Sequence, residues 1–236
     1  MKRLIITILL FAGIVANAFS QVGGMEERDR LAIGVEYPVG LDNDNMCTTL
    51  QNNITQALVL NGLSATDSRF TVITKVAVLS KDVTRTAPAM YVTELELSMY
   101  IADMYTGVIF SMATFSVKGV ADSDAASVSE AVKQVKARNS NLRNLIQRGK
   151  TEIMKYFEAE SEQILMRIDA LIASGNYRSA IIEINSIPRA AADLYNQASV
   201  KLASIPAAYI NTPILSSDIY RYYNTTKEER IQSILK

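Results

Sequence analysis

The first half of the chain alternates apolar and polar residues with the period of two that is typical of β-strands. This pattern predicts a first strand over 31–39, and Pro38 near its end indicates a sheet edge or a strand terminus. A second strand is predicted over 70–78. Between them, apolar residues recur at helical spacing over 46–60, up to the dipeptide Asn61-Gly62, which commonly ends a helix. The order strand, helix, strand is therefore expected at the start of the fold.

The segment that follows carries the clearest local signal in the chain, a β-hairpin. Two alternating runs, 94–101 and 108–119, flank a short turn that begins with Asp103 and ends with Gly107. Aspartate and glycine suit the ends of such a turn, and Gly107 is expected to take a positive φ, which other residues adopt only at a cost. One face of the hairpin is expected to bear Leu95, Leu97, Met99, Ile101, Ile109, Ala113, Phe115 and Val117.

Beyond the hairpin the apolar period changes to that of an α-helix and does not change back. Interruptions at 138–140, at Gly175-Asn176 and at Pro188 divide this half into several helices. Thr226 followed by Glu229 is a capping-box pattern for a short terminal helix. The predicted fold class is α+β, a mostly antiparallel N-terminal sheet with packed helices followed by a C-terminal α-helical hairpin region. The expected domains are 31–137 for the sheet, 138–203 for the helical hairpin and 204–236 for a tail with a short helix.

The N-terminus has the three-part layout of a secretory signal. Lys2-Arg3 precedes an apolar run over 4–15, and small residues follow over 16–20. The apolar run is too short to span a bilayer. We therefore expect 1–20 to be a signal peptide and 21–30 a leader, so that the mature protein lies in the periplasm, at the outer membrane or outside the cell.

Composition removes several classes of function. The chain has 236 residues, no His, one Cys, and 24 basic against 24 acidic residues. Without His, the Ser-His-Asp and Cys-His arrangements of nucleophilic enzymes and His-based metal sites are excluded. Without a net positive charge there is no basic field to hold nucleic acid. We therefore expect no catalytic residue, no metal site and no cofactor.

Three polar features remain as candidate chemistry. Glu94 and Glu96 lie two apart on one strand face, as glycosidase carboxylates can, although alternate polar residues on a sheet are usually solvated. The run 42–45 offers oxygens to Ca²⁺ but lacks the spacing of a calcium loop, so helix capping is expected there. Cys47 is expected to be a buried residue near a helix start, the alternative being an intermolecular disulfide or a reactive thiol.

The region 31–137 resembles the periplasmic domain of the curli-export lipoproteins and related bacterial envelope proteins. In that domain an Asp-x-x-Thr-Gly turn joins two long strands, and Asp103, Thr106 and Gly107 match it. The resemblance implies a sheet onto which a helix packs back. This chain lacks the lipid-anchor cysteine and the membrane-spanning hairpins of the curli channel, so channel activity is not implied.

The helical half resembles a tetratricopeptide hairpin over 170–180. There Gly175 would end one helix, Tyr177 would fill the corner, and Ala180 would let the second helix approach closely, with Arg178 left on the surface. One such unit is not a repeat array, because solenoids need several. The overall arrangement also resembles exported proteins of gut Bacteroidetes.

These features predict a non-catalytic envelope or secreted protein that acts in protein–protein docking, assembly or transport. Its expected partners are other envelope or secreted proteins, with peripheral outer-membrane association and oligomer formation both left open. The alternative is a secreted carboxylate-dependent hydrolase or a glycan-binding protein. Aromatic residues in the tail offer a candidate surface for peptide or glycan. That surface comprises Tyr209, Tyr220, Tyr222 and Tyr223.

Overall fold

A computed structural model describes residues 31–63 and 68–236, and the predicted signal peptide and leader lie outside these ranges. The described residues form an α+β fold around one four-stranded sheet, which confirms the predicted class. The strands are β1 (Ile33–Val35), β2 (Phe70–Val83), β3 (Tyr91–Asp103) and β4 (Ile109–Ala121). The helices are α1 (Asp44–Leu60), α2 (Asp124–Lys133), α3 (Ser140–Ala159), α4 (Ser161–Ala173), α5 (Tyr177–Asn185), α6 (Ala192–Val200), α7 (Ala207–Ile210), α8 (Ser216–Tyr222) and α9 (Lys227–Ile234).

The sheet has the order β1-β2-β3-β4 and is mostly antiparallel. Only β1 runs parallel to its neighbour, because α1 forms the crossover to β2. β1 is shorter than the sequence predicted. Near Pro38 the hydrogen bonding between the β1 segment and β2 is interrupted. It resumes where the Val39 amide donates to the Thr74 carbonyl of β2.

The hairpin of β3 and β4 forms as predicted, with Leu97 opposite Phe115 and Leu95 opposite Val117. One expected residue lies elsewhere: Ile109 is exposed and is not part of the buried face. The reason is a register shift between Ile101 and Ala102, which displaces the start of β4 relative to the rest of that strand.

Three helices, α1, α2 and α3, pack on one face of this sheet. Gly119 allows the closest approach, because a side chain there would meet the backbone of α2 at Ser127 and Ala131. A single hydrophobic cluster extends from Leu31 to Ile205 and so includes residues of all three predicted regions, 31–137, 138–203 and 204–236. The opposite face is covered at one end, where Ile234 of α9 packs on a small cluster with Ile73, Ala102 and Met104.

Side-chain caps start four of the nine named helices, α1, α2, α3 and α9. Asn43 accepts from the Asn45 and Met46 amides at the start of α1, and the predicted capping box of Thr226 and Glu229 starts α9. α4 ends in a Schellman motif, in which the Asn176 amide donates to the Leu171 carbonyl and Gly175 has φ +75°. Within 31–63 and 68–236, no helix is both long and apolar enough to cross a membrane.

Candidate functional site

The turn between β3 and β4 lies at the centre of a buried polar network. The buried carboxylate of Asp103 accepts from the Tyr105 amide at 2.9 Å and from the Thr106 hydroxyl at 2.7 Å. The Gly107 amide donates back to the Asp103 carbonyl, and Gly107 has the predicted positive φ, +82°. The predicted motif residues Asp103, Thr106 and Gly107 are therefore brought together, and we call the segment 103–107 the Asp103 turn.

Arg69, which the sequence analysis did not single out, binds this turn from the start of β2. Its Nε and Nη2 donate to both carboxylate oxygens of Asp103, the shortest distance being 2.6 Å. Both side chains are withdrawn from solvent, with exposed fractions of 10% for Arg69 and 0% for Asp103. Burial alone would lower the pKa of Arg69, but the charge of Asp103 and the hydrogen bonds to it outweigh that effect, so the pKa is raised.

Arg69 also links the sheet to the helical half. Its Nη1 donates to the Ser186 carbonyl at the end of α5, at 3.1 Å. The guanidinium lies 5.3–5.6 Å from the ring centres of Phe70, Tyr105 and Phe157, a cation–π environment. One side chain thus connects β2, the Asp103 turn, α3 and α5.

The C-terminal segment folds back onto the same turn. Arg230 of α9 donates to the Tyr105 carbonyl at 2.8 Å and to the Thr106 carbonyl at 3.1 Å. Tyr223 stacks on Tyr105 with ring centres 5.2 Å apart. The tail is therefore part of the packed structure around the Asp103 turn.

We expect Gly107→Val to lower the free energy of unfolding by about 1–3 kcal/mol, because a branched residue is strained at positive φ. A side chain there would also displace Arg230 from the turn. Chemical denaturation of parent and variant measures the difference. The neighbouring exposed change Val108→Thr serves as the control and should shift stability by no more than about 0.5 kcal/mol. Equal stability of the Gly107→Val variant and the parent would contradict this expectation.

A second buried polar group joins the tail to the helical hairpin. The buried carboxylate of Glu183 on α5 accepts from the Tyr222 hydroxyl at 2.8 Å and pairs with Arg167 on α4 at 3.0 Å. Burial and the hydrogen bond to Glu183 raise the pKa of Tyr222. Burial also raises the pKa of Tyr223, to about 12 from an ordinary value of 10.0, against a smaller lowering by Arg69.

Stability is therefore expected to fall as the pH rises from 10 to about 12. In that window the unfolded chain releases the Tyr223 proton while the folded chain retains it, so proton release favours unfolding. Tyr223→Phe should make the fall less steep. The measurement is urea unfolding of both proteins at a series of alkaline pH values. Identical pH slopes would show that Tyr223 titrates alike in both states.

Three of the four tyrosines predicted to form a binding surface, Tyr220, Tyr222 and Tyr223, lie in one aromatic cluster around Tyr105, and the fourth, Tyr209, contacts a different ring. Tyr222 and Tyr223 are half-buried in the contacts just described, and Tyr220 packs edge-on against Tyr105. Tyr209 is exposed and lies against Tyr177, with ring centres 5.1 Å apart. Tyr220 also lines two surface depressions of about 700 and 190 Å³ near the start of α9. A role of this group in peptide or glycan binding stays a prediction.

The predicted hairpin residues lie on α4 and α5. Gly175 is in the connection, Tyr177 begins α5, and Ala180 is completely buried. Arg178, expected on the surface, has a side chain that is 34% exposed. It donates to the Thr212 and Pro213 carbonyls and pairs with Asp218 at 2.7 Å, which ties α5 to the tail. The backbone amide of Leu215 and Arg178 together lower the pKa of Asp218.

The remaining candidate residues of the sequence analysis lie on β3 and at the start of α1. Glu94 and Glu96 lie on the sheet face away from α1–α3, and the Glu94 carboxylate is 3.7 Å from Lys118. Cys47 is buried near the start of α1, and Asn43 of the 42–45 run is the helix cap. Among the described residues, no three His, Cys, Asp or Glu side chains are grouped as a metal site requires.

A different feature of the surface is the outer part of the β2–β3 hairpin. Val78, Leu79 and Val83 of β2 are 51–55% exposed, and Val83 pairs with the exposed Tyr91 of β3. We call these four residues the distal hairpin end. Sequence reasoning missed them, because a strand pattern does not show how far a strand extends beyond the helices that cover it.

No protein-family model matches the sequence, and no curated protein matches it. A minor lipoprotein from Acinetobacter baumannii has 13% identity and a TM-score of 0.30, with 52% of this chain aligned to 91% of that one. A DUF330 protein from Xanthomonas campestris has 14% identity and a TM-score of 0.35, with 56% of this chain aligned to 90% of that one. The PelC dodecamer from Paraburkholderia phytofirmans has 14% identity and a TM-score of 0.29, with 50% of this chain aligned to 93% of that one. At such identities and TM-scores, the similarity carries no argument about the function of this chain.

Proposed function

We propose that this chain is a non-catalytic envelope or secreted protein that docks onto other proteins during assembly or transport. The observation that carries the proposal is the exposure of the distal hairpin end, Val78, Leu79, Val83 and Tyr91. Exposed large apolar side chains on a folded surface commonly mark a protein interaction site, because their contact with water is unfavourable.

The hairpin can present these residues without loss of structure. Val83 and Tyr91 are direct cross-strand partners, and the Thr84 amide donates to the Met90 carbonyl beyond them. The hairpin end is therefore closed by its own backbone hydrogen bonds, and its side chains are available to a partner. The expected partners are other envelope or secreted proteins, because the predicted signal peptide directs export.

An enzymatic role has weaker support. Glu94 is bound to Lys118, and Glu94 and Glu96 stand on an open sheet face. General acid–base chemistry needs carboxylates that converge on substrate in a concave site. The carboxylate-dependent hydrolase therefore remains the alternative. Loss of a hydrolytic activity on Glu94→Gln or Glu96→Gln would favour it.

The test is capture of partners by the mature protein from the envelope of its own host. Val78→Thr combined with Val83→Thr keeps side-chain shape and strand propensity but makes the distal hairpin end polar. Val200→Thr is the matched control, because Val200 is also exposed but lies on α6. Proteins that co-purify with the parent and the control should be lost from the double variant. Unchanged capture by the double variant would refute docking through this surface.

A docking role for the tetratricopeptide-like hairpin is a second proposal. Its support is that Gly175, at φ +75°, turns the chain between α4 and α5, and that the small Ala180 is completely buried on α5. The exposed Met166 of α4 is the residue to test there, by Met166→Gln in the same capture experiment.

A further inference from the structure

The last strand of the sheet has an open edge. β4 has 13 residues and pairs with β3 along one side, and no other described strand pairs with it. The Met112 carbonyl accepts from Arg148 of α3, so it points away from β3 and its end of the edge is already covered. In a strand the backbone groups of alternate residues after Met112 share that direction. Thr114, Ser116, Lys118 and Val120 thus carry amides and carbonyls that another strand can reach.

Beyond Met112, whose carbonyl is covered by Arg148 of α3, β4 lacks the usual protection of such an edge. Natural sheets block long edges with Pro, bulges or several charged side chains. From Ser111 to Ala121 the strand has no Pro and no register shift, and its one charged residue, Lys118, is close to Glu94. Met112 and Val120 leave 58% and 49% of their surface exposed along this strand. An edge of this kind is expected to be covered in the working protein.

We infer that β4 pairs antiparallel with β4 of a second copy of this chain, so that one sheet continues across a two-fold dimer. The other side of the sheet does not offer a comparable partner. β1 has three residues, and the free part of β2 beyond it carries a register shift at Val78–Ser80 and the charged residues Lys81 and Asp82. Pairing of β4 with β4 also closes the assembly, because each copy uses its own edge once.

The side chains of β4 favour a particular register. Antiparallel pairing centred on Phe115 sets Thr114 opposite Ser116 of the partner subunit. Met112, whose carbonyl binds Arg148, then faces Lys118 of the partner subunit at the end of the paired segment. No like charges then face each other, whereas centring on Lys118 would oppose two ammonium groups, which is unfavourable. This inference is independent of the proposed docking role, because it involves none of the four residues of the distal hairpin end.

The experiment is sedimentation velocity of the mature protein over a range of concentrations, with two charge variants of exposed residues. Thr114→Lys with Ser116→Lys places lysines opposite one another in the inferred dimer. Thr114→Glu with Ser116→Lys places opposite charges there. We expect twice the monomer mass for the parent and for the Glu/Lys variant, and the monomer mass for the Lys/Lys variant. Circular dichroism should be the same for all three.

A parent protein that stays monomeric, or an assembly larger than a dimer, would overturn the inference. A Lys/Lys variant that remains dimeric would overturn it too, since the contact would then lie on another face. The double variant Val78→Thr with Val83→Thr should sediment as the parent does. Failure of the docking proposal and failure of the dimer therefore give different results.

Discussion

Replacement of Asp103 by asparagine is expected to lower the free energy of unfolding by about 3–5 kcal/mol, because it leaves the Arg69 charge buried without a counter-charge. The amide keeps the shape of the carboxylate but cannot accept from Arg69, the Tyr105 amide and the Thr106 hydroxyl as the charged group does. The sheet, the end of α5 and the C-terminal tail all meet at the Asp103 turn, so we expect all three to lose stability together.

Chemical denaturation measures this change, and an exposed ion pair provides the control. Glu152→Gln breaks the pair with Lys155 on the surface of α3, and we expect a change of about 0–1 kcal/mol. In an Arg69→Met background there is no buried guanidinium charge to leave unpaired. Asp103→Asn should therefore lower the free energy of unfolding by less in that background than in the parent. A cost below about 1 kcal/mol for Asp103→Asn in the parent would show that the pair does not hold the turn.

Phe157→Ala is expected to lower the free energy of unfolding by a similar amount, about 3–5 kcal/mol, because it opens a cavity in the centre of the core. Phe157 is fully buried on α3, and its ring packs edge-on against Phe70 of β2 and against Tyr156. The cavity would also remove one of the rings that surround the Arg69 guanidinium.

The comparison for this variant is Met166→Ala, which truncates an exposed side chain on the neighbouring helix α4. In thermal and urea unfolding, the free energy of unfolding of Met166→Ala should lie within about 0.5 kcal/mol of that of the parent. If Phe157→Ala falls in the same range, the ring does not contribute to the core as its burial indicates.

Much of the fold follows from local sequence. The alternation over 94–101 predicts β3, and the Asp103 and Gly107 pair predicts the turn, because turn geometry depends on residues only a few positions apart. The same holds for the ends of α1, α4 and α9, where caps and glycines act within one helical turn. The candidate site was predicted only as far as this turn.

Tertiary structure decided the rest, because the decisive contacts join residues that are distant in the chain. Arg69 reaches Ser186, and Arg230 reaches Tyr105 and Thr106, with nothing in the local pattern to pair them. The same packing placed Tyr222 against Glu183. A side-chain pattern shows which face of an element is apolar, but only the assembled elements decide which polar group is buried with which partner. The sequence alone therefore determined the elements and the Asp103 turn of this protein, and packing decided that its tail is bound there while the β2–β3 hairpin end and the β4 edge stay open.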